Sequence, residues 1–153
     1  MRIVVTSDSH RRAGDLMDIF ERHLDNADLF INLGDGEDDV DNVLMLYPKI
    51  RIERVAGNCD WGSTLPLWKT VKFAGKTIFF SHGHPFSVKF GYERIVERAK
   101  AEGADICLFG HTHNPIVQRQ GDMYLVNPGA VCDGKYAIID IEPSGIMAYH
   151  ARV

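Results

Sequence analysis

Ile106-Cys107-Leu108-Phe109-Gly110-His111-Thr112-His113 joins four apolar residues to a glycine and a His-Thr-His triplet. A short apolar run bounded by glycine reads as a buried strand. A strand that ends there releases two imidazoles close together, pointing different ways. Neutral imidazole is the commonest protein metal ligand. Taken alone, two histidines in a turn fit a polar surface as well as a metal site. The pattern recurs, however: Asp8-Ser9-His10, Gly34-Asp35, Gly57-Asn58-Cys59-Asp60 and His82-Gly83-His84 each follow an apolar run too. Five donor-bearing loops at five strand ends predict one site at a sheet edge.

Outward from that stretch, the first half of the chain alternates strands with helices. Ile3-Val4-Val5-Thr6 is a β-branched run, followed over 14–24 by a helical stripe of Leu16, Met17, Phe20 and Leu24. His23 is expected at the solvated edge of that helix, and Asp8 alone would pass for its N-cap. Residues 28–33 read as a second strand. Glu37, Asp38, Asp39 and Asp41 then read as the negative first turn of a helix rather than as ligands. That helix carries Val40, Val43, Leu44 and Tyr47, and Pro48 ends it. Residues 51–56 form a third strand, so this half is of the parallel βαβ type.

The second half changes character. Residues 70–73 and 76–81 make a hairpin across Ala74-Gly75. A helix with Tyr92, Ile95, Val96 and Ala99 on one face closes at Gly103. Strand 106–109 follows, then hairpins 116–120/123–126 and 136–141/146–151. The expectation is an α/β chain of two packed sheets with helices outside, in one domain over 1–153, without repeat or linker.

At 153 residues the chain can bury a sizeable core. A formal net charge of −4 offers no basic footprint for nucleic acid or an anionic membrane. Cys59, Cys107 and Cys132 are odd in number and lack a C-x-x-C pair, which argues against a disulfide framework or a zinc knuckle and for a reducing, cytoplasmic setting. Met1-Arg2 leads straight into a strand, and no apolar run is long enough to span a bilayer. Neither a signal peptide nor membrane insertion is expected.

Gathered at one edge, the loops offer Asp8, His10, Asp35, Asn58, His82, His111 and His113. Carboxylate, amide and imidazole donors together suit Mn²⁺, Fe²⁺, Zn²⁺ or Ni²⁺ better than Ca²⁺. Seven donors exceed one tetrahedral site. They suffice for two ions roughly 3.5–4 Å apart sharing a carboxylate, an arrangement used to hydrolyse phosphate esters.

In this order, Asp8-Ser9-His10, Gly34-Asp35, Gly57-Asn58, His82 and Gly110-His111-Thr112-His113 resemble the calcineurin-like metallophosphoesterase superfamily. The short length, His82-Gly83-His84 and Asn127-Pro128-Gly129 are most similar to its compact bacterial and archaeal phosphodiesterase subfamily. The resemblance spans nearly the whole chain. It implies a four-layer αββα sandwich, with Asp8, His10 and His113 on a first ion, Asn58, His82 and His111 on a second, and Asp35 between them. It implies hydrolysis of a small phosphodiester by a hydroxide bridging two divalent ions, Mn²⁺ foremost, with Asn58 holding phosphoryl oxygens.

One position departs from the wider superfamily, where a histidine follows Gly-Asn and protonates the leaving group. Cys59 stands there, as it often does in the compact subfamily. A thiol with an ordinary pKa of about 8.5 is a poor donor, so a small, half-buried apolar role fits it better. His84 and solvent are the donors left. Two rival readings come from different classes. The fold is also similar to a retromer coat subunit that acts as a scaffold, although there the Gly-Asn loop is altered and here every ligand position is intact. A metal-dependent nuclease is disfavoured by the acidic balance. Finally, Trp61-Gly62-Ser63-Thr64-Leu65-Pro66-Leu67-Trp68 reads as core, as an apolar wall for a leaving group, or as a contact between copies. A homodimer using part of it is the expectation.

Overall fold

The computed structural model describes residues 1–153. Ten strands form two five-stranded sheets: β1 (Arg2–Thr6), β2 (Leu29–Asn32), β3 (Ile52–Arg54), β9 (Lys135–Glu142) and β10 (Gly145–Arg152) in the order β10-β9-β1-β2-β3, and β4 (Trp68–Phe73), β5 (Lys76–Ser81), β6 (Ile106–Phe109), β7 (Ile116–Gln120) and β8 (Met123–Asn127) in the order β4-β5-β6-β8-β7. In the first sheet β1, β2 and β3 run parallel; in the second β5, β6 and β8 do. The hairpin strands close the sheets antiparallel, β4 and β7 at the two edges of the second and β9 with β10 beside β1 in the first. Helices α1 (Ala13–His23) and α2 (Glu37–Leu46) cover the first sheet and α3 (Glu93–Ala101) the second.

Period-two alternation builds the four layers. Ile3 and Val5 of β1, Ile31 of β2, Ile78 and Phe80 of β5, and Ile106 and Leu108 of β6 point between the sheets into one core. Their neighbours point outward: Val4 and Phe30 meet Leu16, Ile19 and Phe20 of α1, while Phe79, Cys107 and Phe109 meet Ile95 and Ala99 of α3. Strands buried on both faces read as unbroken apolar runs, and parallel strands bring their C-terminal ends to the same edge. The fold is therefore the expected αββα sandwich.

Three local expectations need correcting. The inner stripe of α1 is Leu16, Ile19, Phe20 and His23, with Met17 and Leu24 only half-buried. His23 is not at a solvated edge. It is 5% exposed, with Nε2 3.0 Å from the Tyr136 hydroxyl and Nδ1 2.9 Å from Asn26 Oδ1, and those partners make its burial tolerable. Strand β3 is half the length expected. Val55 N–H still donates to Asn32 O of β2, at 3.3 Å, but Ala56 leaves the ladder and its N–H donates to Pro66 O at 2.9 Å.

The first sheet is tied across β1, β9 and β10 by a charged cluster. Arg2 Nε and Nη2 donate to the two oxygens of Asp140 at 2.8 and 3.1 Å, and the Tyr149 hydroxyl donates to Asp140 Oδ2 at 3.2 Å. Arg2 holds the Asp140 carboxyl below the usual carboxylate range. A depressed folded-state pKa contributes stability above the unfolded value, and that contribution is lost as pH falls through the folded one. Asp140→Asn should therefore cost about 1 kcal/mol at pH 7 in urea melts, with the gap closing as pH falls below the ordinary carboxylate range. An undiminished gap in acid would assign the loss to packing instead.

Candidate functional site

The loops after β1, β2, β3, β5 and β6 meet over the C-terminal edge of the parallel strands. Backbone hydrogen bonds lace them together: Asp8 N to Gly34 O at 2.9 Å, His10 N to Asp35 O at 3.1 Å and Gly110 N to His82 O at 2.9 Å. Glycines permit the close passage. A Cβ on Gly57 would lie 2.1 Å from Asp35 Oδ1, and one on Gly110 would lie 2.0 Å from Ser7 Oγ. Asp8, His10, Asp35, His111 and His113 all take left-handed backbone, with φ between 42° and 69°. Non-glycine residues rarely do so, and each costs roughly 1–3 kcal/mol held elsewhere in the fold.

Both buried carboxylates are divided in function. Asp8 Oδ2 accepts from Ser7 Oγ at 2.6 Å and from His111 N at 3.0 Å. Asp8 Oδ1 faces imidazoles: His113 Nε2 at 3.2 Å, His10 Nε2 at 3.3 Å and His82 Nε2 at 3.8 Å. Asp35 repeats the scheme. Its Oδ1 accepts from Cys59 N at 2.8 Å, while Oδ2 lies 3.2 Å from His82 Nε2 and 3.7 Å from His10 Nε2. One oxygen is anchored and one is offered.

Two donor groups result, Asp8/His10/His113 and Asp35/His82/His111, with the ligand atoms within each less than 4.8 Å apart. His82 Nδ1 lies 2.7 Å from Leu33 O, which assigns its proton there and turns Nε2 inward, 3.1 Å from His111 Nδ1. Burial opposes charge on His82, yet the bond to Asp35 and the charges of Asp8 and Asp35 win, and its pKa is raised. Asp35 is opposed by burial as well, but His82, the Cys59 N–H and His10 hold its carboxyl far below the usual range. His111 is pushed down to about 4 by burial, then by the charge of His82. Inward lone pairs on buried carboxylates and imidazoles repel one another unless positive charge sits among them. This donor set therefore fits divalent cations.

The other candidate residues stand at the rim. Asn58 is exposed, and its amide Nδ2 donates to Cys59 Sγ at 3.5 Å. Cys59 is exposed rather than half-buried, because the turn that presents its N–H to Asp35 leaves its side chain outside. Desolvation and then the charge of Asp35 raise its thiol pKa. His84 has its ring centroid 5.5 Å from His82 and 6.2 Å from His111, and its Nδ1 is buried without a partner. Burial, then the charge of His82, lowers its pKa. Trp61 is 90% exposed and is not core; with His10, Asp35 and Cys59 it lines a cleft of about 560 Å³. Trp68, at 36% exposure, stacks on Phe79 and lies beneath the Arg98 guanidinium.

Several supporting residues carry no ligand signature in the sequence. Asp60 accepts four backbone N–H groups: Asp35 and Gly57 on Oδ2 at 2.8 and 2.7 Å, Gly36 and Glu37 on Oδ1 at 3.1 Å each. Buried Asp39 accepts from Ser9 Oγ at 2.5 Å and Arg11 N at 3.0 Å, joining α2 to the Asp8 loop. Asn127 Nδ2 donates to Gly110 O and Thr112 Oγ1, fixing the His-Thr-His turn. Aspartates two or three residues from a glycine are common in ordinary turns, so only the tertiary pairing distinguishes these.

Fold and donor set together define a class: an αββα sandwich that collects buried carboxylates and imidazoles at the strand ends of two facing sheets. The chain belongs to the calcineurin-like phosphoesterase superfamily, whose domain model matches residues 1–144. It is 29% identical over 132 residues to the probable metallophosphoesterase YsnB of Bacillus subtilis, covering 86% of this chain and 75% of that one. The structure is similar to that of a predicted phosphoesterase from Streptococcus pneumoniae, with a TM-score of 0.80 at 25% identity over 98% and 97% of the two chains. Vps29 of Chaetomium thermophilum shares the fold, with a TM-score of 0.77 at 18% identity over 99% and 98%.

Proposed function

We propose that residues 1–153 act as one unit, a phosphodiesterase that depends on two divalent ions. The observation that carries this reading is the Asp35 carboxylate, whose Oδ2 stands between His82 of one donor group and His10 of the other. Asp8, His10 and His113 would hold one ion, Asn58, His82 and His111 the second, and Asp35 both. When bound, such ions activate water and neutralise charge on phosphoryl oxygens. The mixed oxygen and nitrogen donors accommodate Mn²⁺, Ni²⁺, Zn²⁺ and Fe²⁺, and Mn²⁺, foremost in the family resemblance, is the ion to test first. Glu37, Asp38, Asp39 and Asp60 line the adjoining cleft, which disfavours a dianionic monoester relative to a singly charged diester. The free cysteines favour a reducing, cytoplasmic setting. No helix is long and apolar enough to cross a membrane.

Within the site, Asn58 orients a phosphoryl oxygen and His84 is the candidate proton donor in its imidazolium form, which its lowered pKa makes a minor but more acidic species at neutral pH. Cys59 keeps its proton too tightly to donate it well. Metal-stripped and Mn²⁺-restored protein should be compared on bis-p-nitrophenyl phosphate and on diesters with graded leaving groups. Turnover is expected only after restoration; equal rates before and after would overturn the reading. His84→Ala should lose more activity as the leaving group becomes more basic, and Cys59→Ala only a few-fold, well short of the roughly 10²–10⁴-fold that loss of a general acid costs. A steep loss confined to poor leaving groups in Cys59→Ala, with His84→Ala unaffected, would restore the thiol as donor.

A second reading, an interaction protein with this fold, is favoured by the exposure of Trp61 at 90% and Phe90 at 94%. It expects folded, metal-loaded protein without turnover. Single-stranded DNA binding across salt concentrations tests the nuclease alternative. The exposure of Trp61, Leu67 and Trp68 also supports self-association through part of that segment. Light scattering on eluted protein should give a dimer, and a monomer at high concentration would refute it.

A further inference from the structure

We propose that Cys132, Asp133 and His113 form a third, peripheral site for a thiophilic divalent cation such as Zn²⁺. Cys132 Sγ, the Asp133 carboxylate and a ring nitrogen of His113 lie within 4.8 Å of one another. His113 faces two ways: Nε2 is 3.2 Å from Asp8 Oδ1, and Nδ1 is 4.0 Å from Asp133 Oδ2. One nitrogen addresses the donor group described above and the other addresses this cluster.

The cluster is held in place by the backbone. Cys132 and Asp133 belong to the 3₁₀ turn Val131–Asp133, which docks on the Asp8 loop through Val131 N to Ser7 O at 2.9 Å and Cys132 N to Asp8 O at 3.1 Å. The left-handed Gly134, at φ 74°, closes the turn. Donors about 2.0–2.3 Å from a tetrahedral ion lie roughly 3.3–3.8 Å apart, so small side-chain adjustments bring these three into range. Three protein donors leave a fourth position to water. The His113 and Asp133 side chains, 37% and 51% exposed, leave an entry path.

A thiolate selects Zn²⁺ over Mn²⁺, so this site and the carboxylate–imidazole one, which has no thiolate in either donor group, differ in preference. Binding releases the Cys132 thiol proton, and the Nδ1 proton of His113 where that tautomer is present, to solvent. An ion here competes for His113. Excess Zn²⁺ should therefore inhibit, and this consequence alone rests on the phosphodiesterase reading.

Metal-stripped, reduced full-length protein should be titrated with Co²⁺, following the thiolate-to-metal charge-transfer band in the near ultraviolet. The wild type is expected to show the band, Cys59→Ser to keep it and Cys132→Ser to lose it. Asp133→Asn should need at least roughly tenfold more Co²⁺, since even supporting residues of metal sites cost 10–100-fold. This variant keeps the test open if Cys132→Ser melts early. No band in the wild type, a band that follows Cys59, or an unshifted Asp133→Asn titration would overturn the proposal. Zn²⁺ added to Mn²⁺-loaded wild type should reveal an inhibitory phase that Cys132→Ser lacks. Protein with no turnover at all would sink the phosphodiesterase reading and leave the absorbance result standing.

Discussion

Asp35→Asn is expected to lower kcat/KM on a phosphodiester by roughly 10³-fold or more, beyond the 10²–10³ lost with a single transition-state hydrogen-bond donor. The change is nearly isosteric. Asparagine Oδ1 can keep the 2.8 Å bond from Cys59 N, so the loop retains its shape. What disappears is the negative charge on the oxygen lying between His82 and His10. Both donor groups lose it together, so metal analysis should show fewer than two Mn²⁺ per chain while the melting temperature changes little. Activity within tenfold of wild type, with full metal content, would remove Asp35 from the position shared by the two groups.

Asp60→Asn should have the largest effect on stability. The carboxylate takes two N–H groups on each oxygen, from Asp35, Gly36, Glu37 and Gly57. An asparagine keeps one oxygen and turns an NH₂ toward two other donors. Two charge-assisted bonds vanish and two donors meet a donor, a loss of about 3 kcal/mol. For a domain of this size that lowers the melting midpoint by roughly 6–12 °C. Activity falls as well, because the same N–H groups hold the Asp35 loop against Gly57. A midpoint within about 2 °C of wild type would show that water replaces these bonds without cost.

The strands and the donor-bearing loops were legible because both are local. Ile3-Val4-Val5 and Ile106-Cys107-Leu108-Phe109 are apolar without a break, as strands buried on both faces must be, and each ends on its donors. What the sequence hides is long-range pairing. Asp60 looks like any turn aspartate until the Asp35 loop is laid beside it, and Asp39 like any first-turn acid until Ser9 and Arg11 reach it. The burial of His23 is hidden in the same way, because its partner Tyr136 lies on strand β9, far along the chain. The indoles of Trp61 and Trp68 fit a core, a substrate wall or a contact between copies equally well in the sequence, because hydrophobicity alone does not say which side of a loop faces water. The structure removes only the core reading, and for Trp61.

The left-handed backbone at Asp8, His10, Asp35, His111 and His113 bears on how such a protein changes over generations. These residues stand in a backbone region that glycine and asparagine occupy more easily. Once a lineage of this fold no longer needed that chemistry, glycine or asparagine at these positions would relax the loops and be favoured for stability alone. Catalysis would then be the first trait to erode and the sandwich the last, since the strands beneath carry none of that strain. A descendant kept for its surface would still look like its ancestor.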